Sequence, residues 1–229
     1  MARTCLQTEQ DYQTLLIDLT RSGVLEGWPS TKVTRCSACE SGHGDACLGP
    51  ELAMIDRLNP LCFVPAKFKK QTLRVELAEL TTRNRGEAAV ASHSLEIRIW
   101  RLETGAGGPT PVFRAHLDNR VPGAAEPLSH LHFGGCRWVD AVEDERWPLP
   151  SVTESLRWPV ASSDVVLTAE LVLASYFNNN WESLLGEVSF VGAVKRSEQD
   201  HILNRYIKAW QDEYAGSKVP SFLKVLMTG

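Results

Sequence analysis

The chain has 229 residues, 43% of them hydrophobic and 23% charged, with a formal net charge of −4. That composition is ordinary for a globular protein, and the length suffices for a core without disulfide staples. It excludes a small disulfide scaffold, and it excludes a chain whose overall field draws in nucleic acid.

The first residues, Met1 to Gln13, contain no apolar run that could act as a signal peptide. The longest nearly apolar stretch, Val165 to Ala174, is interrupted by Thr168 and Glu170 and is too short to span a bilayer. The expectation is a soluble cytoplasmic protein with no membrane partner. In a reducing compartment its six cysteines stay as thiols or bind metal.

In chain order, Thr8 followed by Glu9, Gln10 and Asp11 predicts a helix start. Tyr12, Leu15, Leu16 and Leu19 supply its apolar face, and Gly23 its stop. Residues 27 to 49 are rich in Gly, Ser, Pro and Thr and read as a loop. Pro50 to Leu58 reads as a short helix ended by Asn59-Pro60.

Within that loop, Cys36, Cys39, His43 and Cys47 are spaced C-x2-C-x3-H-x3-C. Thiolates and an imidazole so spaced suit a tetrahedral zinc ion. Gly42 and Gly44 permit the tight backbone path such a loop needs. Cys62 could replace His43 as the fourth ligand. The spacing resembles a nucleic-acid zinc knuckle but is one residue short in both later gaps. No aromatic residue for base stacking lies between Cys36 and Cys47. The expected role is therefore a structural zinc staple. Free thiols, or a redox-active Cys36/Cys39 pair, are the competing readings.

Period-two alternation follows in Leu73–Leu77, Leu95–Ile99, Phe113–Asp118 and Leu131–Phe133. It predicts an antiparallel meander of four or more strands, with turns at Asn84-Arg85-Gly86, Gly105 to Pro111, and Pro122-Gly123. Alternation places Arg114, His116 and Asp118 on one strand face, and His130 and His132 on one face of the next. If those strands pair, the four groups His116, Asp118, His130 and His132 converge. They could then hold a catalytic metal or do acid–base work as a hydrolase or nuclease. A solvated sheet face carrying His, Asp and Arg is the plainer explanation. Lys67, Lys69, Lys70 and Arg74 form a local basic patch through which nucleic acid could bind.

Beyond the meander come three Arg-Trp pairs, at Arg137-Trp138, Arg146-Trp147 and Arg157-Trp158. They are binding hot-spot residues if exposed, and core tryptophans if not. Asp164 caps a helix to about Phe177 that is apolar nearly all round, as a central helix would be. Glu170 within it is a carboxylate whose burial would raise its pKa. Ser197 opens a further helix with Leu203, Tyr206, Ile207, Trp210 and Tyr214 as its buried face. Phe222 to Met227 form an apolar tail that docks on its own core or enters a partner.

The run Phe113-Arg114-Ala115-His116-Leu117-Asp118, then Ser129-His130-Leu131-His132-Phe133-Gly134 and Cys136-Arg137, resembles a bacterial family of unknown function found near mobile and defence genes. The resemblance covers residues 110 to 180, with 139 to 156 as an insertion. It implies a prokaryotic cytosolic setting and an α+β architecture. The order helix, meander, irregular segment, helix, with Cys136 just past the meander, also resembles ubiquitin-conjugating enzymes. That resemblance implies acyl carriage on the Cys136 thiolate. Their His-Pro-Asn tripeptide is absent, and His130-Leu131-His132 stands roughly in its place.

The expected fold is a single α+β domain over residues 1–229. It has an N-terminal helix, a zinc-stapled loop within a Cys/His-rich region at 30–62, the meander, C-terminal helices on one face, and an apolar tail at 217–229. The expected function is a non-catalytic assembly or adaptor subunit of a bacterial multi-component system, antiviral defence included, with other protein subunits as partners.

Overall fold

A computed structural model describes residues 4–41, 47, 49–84, 90–103, 108–119, 129–133, 158–159 and 163–207. Helix α1 spans Cys5–Arg21. It begins four residues before the expected point, because Thr4 and Gln7 close a capping box. The Thr4 hydroxyl accepts from the Gln7 N–H at 3.2 Å, and the Gln7 side chain accepts from the Thr4 N–H at 2.9 Å. At the other end Gly23 adopts φ 71°, the left-handed conformation that costs glycine least. The Val24 N–H then reaches the Leu19 carbonyl and the Gly23 N–H reaches that of Thr20. This is a Schellman stop, at the glycine that marked it in the sequence.

The sheet comprises β1 (Thr31–Thr34), β2 (Leu52–Ile55), β3 (Leu61–Cys62), β4 (Ala66–Phe68), β5 (Gln71–Arg83), β6 (Val90–Leu102), β7 (Thr110–Asn119), β8 (Ser129–Phe133) and β9 (Trp158–Pro159). Its order is β1-β2-β5-β6-β7-β8-β9, and β3 and β4 also pair with β5. All pairings are antiparallel. Long β5 is the organising strand. Along one edge it takes β6, and along the other β2, β3 and β4 in turn. The four-stranded meander expected from period-two patterning is therefore present and widened. A one-turn helix, α2 (Ser37–Glu40), lies between β1 and β2.

The short helix expected at Pro50–Leu58 is a strand instead. Leu52 to Ile55 alternate between half-buried and buried, and Ala53 and Ile55 oppose Thr81 and Glu79 of β5. The proline start and Asn-Pro stop fit a strand bounded by turns equally well, and pairing with β5 decided between them.

Helices α3 (Val165–Tyr176), α4 (Asn178–Leu184) and α5 (Val188–Glu198) follow. Asp164 caps α3 as expected, its carboxylate accepting from the Leu167 N–H at 3.0 Å. Leu171 of α3 is 62% exposed, so the helix is not enclosed all round. Ser197 does not start a helix. It is buried near the end of α5, which runs on into a π-helix, Gln199–Ile207. Ile207, expected on a buried face, is exposed. Trp210, Tyr214 and the tail at 217–229 lie outside the described residues.

The core lies on one face of the sheet. Val75, Leu77, Leu95 and Leu117, with Ala53, Ile55, Leu61 and Phe63, meet three helices there. These are α1 through Tyr12, Leu15, Leu16 and Leu19, α3 through Val166, Ala169 and Leu173, and α5 through Phe190 and Ala193. A polar network runs through the same interface. The Glu79 carboxylate accepts from the Tyr12 hydroxyl at 2.7 Å, the Val165 N–H at 3.0 Å and the Thr81 hydroxyl at 3.1 Å. Thr81 Oγ1 also lies 2.7 Å from His93 Nδ1. His93 Nε2 faces the Ser163 carbonyl at 2.7 Å, and a carbonyl only accepts, so Nε2 carries a proton. The His93 and His201 rings lie 5.5 Å apart, and His201 Nε2 is 3.5 Å from Asp164. This network joins α1, β5, β6, α3 and the π-helix. Among the described helices, none is long and apolar enough to cross a membrane.

Candidate metal centre

Cys5, Cys36, Cys39 and Cys47 come together, with all four Sγ atoms within 4.8 Å of one another. They arrive from three places in the chain. Cys5 is the first residue of α1, directly after its Thr4 cap. Cys36 is the N-cap of α2 and Cys39 lies within it, so one helical turn sets their spacing. The Glu40 N–H to Cys36 carbonyl bond at 3.1 Å closes that turn. Cys47 Sγ accepts from the Cys5 N–H at 3.3 Å. The ion pair of Arg35 and Glu9, at 3.0 Å, holds the end of β1 beside α1.

The sulfur separations carry the chemistry. Cys5 to Cys36 is 3.6 Å, Cys36 to Cys47 is 3.7 Å and Cys47 to Cys5 is 3.4 Å. The edge of a tetrahedron with ~2.3 Å metal–sulfur bonds is about 3.8 Å. All four are free thiols. Two sulfurs also receive backbone N–H groups, Cys36 N–H to Cys5 Sγ and Cys5 N–H to Cys47 Sγ, both at 3.3 Å. Such donors orient thiolates and spread their charge. Burial pushes the Cys5 thiol far up. Burial likewise leads at Cys39, with Cys47 adding to it, and takes that thiol to about 11. Burial raises Cys36 too, but the Cys39 backbone N–H and the neighbouring thiols outweigh it and bring Cys36 down to about 7. A divalent ion among the four would remove this conflict, because metal binding deprotonates its thiols.

The cluster holds three of the expected residues and one that was not expected. Cys36, Cys39 and Cys47 are in the cluster, and Cys5 supplies the fourth thiol. Cys62 is not part of it. It sits in β3 opposite Glu76, where burial first and the Glu76 charge second push its thiol up to about 11. His43 lies outside the described residues. The signal for Cys5 was present in the sequence as the Thr4-x-x-Gln7 capping box, which places Cys5 at the first turn of a helix.

The second group expected from the sequence is also brought into register. In the β7–β8 ladder His116 is directly opposite His132, and Asp118 directly opposite His130. His116 Nε2 lies 3.3 Å from Asp118 Oδ2. Cys136 and the pairs at 137–138 and 146–147 lie outside the described residues, as does Arg157, while Trp158 stands in β9 opposite Leu131. Of the basic patch, Lys67, Lys69 and Lys70 are exposed at the β4–β5 hairpin, and Arg74 is engaged by Glu26 at 3.2 Å. Burial raises the Glu170 carboxyl, as expected.

Compared with protein-family models, curated proteins and solved structures, the chain matches none.

Proposed function

We propose that the four-cysteine cluster is a structural zinc centre, and that the chain acts as a zinc-stapled assembly subunit. One observation carries this reading: four thiols lie within 4.8 Å of one another, with the separations among Cys5, Cys36 and Cys47 at 3.4 to 3.7 Å, a number of ligands that would fill a tetrahedral zinc site and leave no position for substrate. A centre of this kind joins chain segments. Here it would join the start of α1 to the β1–α2 loop, segments 31 residues apart at Cys5 and Cys36.

The partner is another protein. Trp28 is 59% exposed and Leu58 93% exposed. They sit on neighbouring loops, held together by the Ser30 N–H to Asn59 carbonyl bond at 3.1 Å and the Asp56 N–H to Ser30 carbonyl bond at 2.8 Å. Exposed tryptophan is a frequent anchor of protein interfaces. The bacterial multi-component setting rests on the resemblance of residues 110 to 180.

Zinc content of the purified protein, with Cys39→Ser beside wild type, tests the centre. About one equivalent bound through thiolates is expected, and its absence from wild type removes the reading. Co-expression with the products of neighbouring genes tests assembly. Co-purification that Trp28→Ala and Leu58→Asp abolish is expected, and a monomer that captures none of them refutes it.

A further inference from the structure

The basic patch marked in the sequence takes a definite shape in the fold. β4 and β5 form a tight hairpin, with Ala66 opposite Leu73, Lys67 opposite Thr72 and Phe68 opposite Gln71. Lys69 and Lys70 are the two residues of its turn. Lys67, Phe68, Lys69, Lys70 and Gln71 are all exposed. Ala66 and Leu73 are buried, so alternation puts Phe68 on the helix-bearing side of the hairpin and Lys67 on the other.

Three lysines therefore gather at one tip. Neighbouring cations are compensated, Arg74 by Glu26 at 3.2 Å and Arg101 by Glu103 at 2.9 Å. Among the described residues, no carboxylate pairs with Lys67, Lys69 or Lys70. On a chain of net charge −4 this is a local positive field, strongest at the hairpin itself.

The aromatic ring between the lysines is a second observation. Phe68 is 45% exposed. Its ring centroid lies 5.8 Å from that of Tyr176 on α3, at an interplanar angle of 70°, an edge contact that braces it. Lys69 Nζ stands 5.6 Å from the same centroid, so cation and π-surface are presented together. A ring braced and half covered can offer its remaining surface to a flat group. It cannot sink the ~5–10 Å that an element lying in a membrane interface does. The partner that matches both features carries phosphates for the lysines and unstacked rings for Phe68.

We propose that the β4–β5 hairpin is a contact site for single-stranded nucleic acid. Phe68 stacks on a base, and Lys69 and Lys70 hold the phosphates beside it. Lys67, on the opposite side, contributes long-range attraction alone. The contact reads no base edge and so has no sequence preference. It uses no residue of the four-cysteine cluster, and neither Trp28 nor Leu58, so it stands apart from the assembly reading.

Fluorescence anisotropy of short labelled oligothymidylate and oligouridylate, titrated with the full-length protein over a range of salt, tests this. Two phosphate contacts predict that log K falls against log salt with a slope of about −1.4. Lys69→Asn/Lys70→Gln should remove that dependence and the binding with it. Asparagine suits the φ of 56° at position 69, so the loss would not be one of folding. Phe68→Ala should weaken binding at least about fivefold with the slope kept, and Phe68→Trp should restore it. Lys67→Gln should change affinity less than either turn lysine. Three results overturn the proposal: no binding at low salt, binding that survives Lys69→Asn/Lys70→Gln, or Phe68→Ala without effect. Tighter binding to duplex than to single strand would remove the stacking role and with it the proposal. Binding to phosphatidylserine vesicles and to no oligonucleotide would assign the hairpin to a membrane surface instead.

Discussion

At the scale of single residues, Cys5 completes the four-cysteine cluster. It comes from a different element than the other three thiols, so its removal opens the set. Cys5→Ser is expected to bind zinc far more weakly. At zinc 100- to 1,000-fold above the wild-type Kd, the lost linkage is about 3–4 kcal/mol. Urea denaturation with and without zinc measures it, and equal stability of the two proteins would contradict the assignment. Cys62 should behave oppositely. Its thiol, pushed up to about 11, is almost wholly protonated at pH 8 and should alkylate slowly in the native state. A chelator should expose Cys5, Cys36, Cys39 and Cys47 to the reagent without accelerating Cys62, as mass spectrometry of the labelled peptides would report. The buried Glu79 carboxylate gives another test. Tyr12→Phe removes one donor from it and should cost about 1–3 kcal/mol in urea unfolding, more than the loss of a solvated hydroxyl would.

At the scale of elements, most local signals were legible, although Ser197, read as a helix start, lies inside α5. Gly23, the Asp164 cap and the alternation in β5 to β8 depend on neighbours within a few residues, and each appears where the sequence placed it. Segments with two local solutions went the other way. Thr8 and Thr4 both open capping patterns, and the structure uses Thr4, which moves Cys5 into the helix. Leu52 to Ile55 is apolar enough for either helix or strand, and the free edge of β5 takes it as a strand. The β4–β5 hairpin holds a small liability. Lys69 adopts φ 56° in the two-residue turn between Phe68 and Gln71, a conformation that disfavours a side chain with Cβ. Lys69→Asn should raise stability by a few tenths to about 1 kcal/mol, and a fall in the denaturation midpoint would count against the turn.

At the scale of the molecule, one sheet separates two environments. Its apolar face carries α1, α3 and α5, and its other face carries the Arg, Glu and His ladder of β6 to β8. The four-cysteine cluster sits where the start of α1 meets the β1–α2 loop. Metal removal should therefore loosen that junction before the core. Hydrogen exchange after chelation should quicken at residues 5–8 and 34–41, while the central amides of β5 and β6 keep their protection. Global loss of protection on chelation would mean instead that the centre is integral to the core.

The sequence by itself determined the α+β class, the meander, the capped α3 and three of the four clustered thiols. Each is a matter of local periodicity, capping or short chelate spacing. Only the tertiary structure decided that Cys5 completes the set, that Cys62 stays outside it, and that His116 and Asp118 stand opposite His132 and His130. Those three facts depend on docking a helix against a loop and on the register between strands. Both are set by burying one sheet face under α1, α3 and α5, a requirement of the whole chain rather than of any single segment.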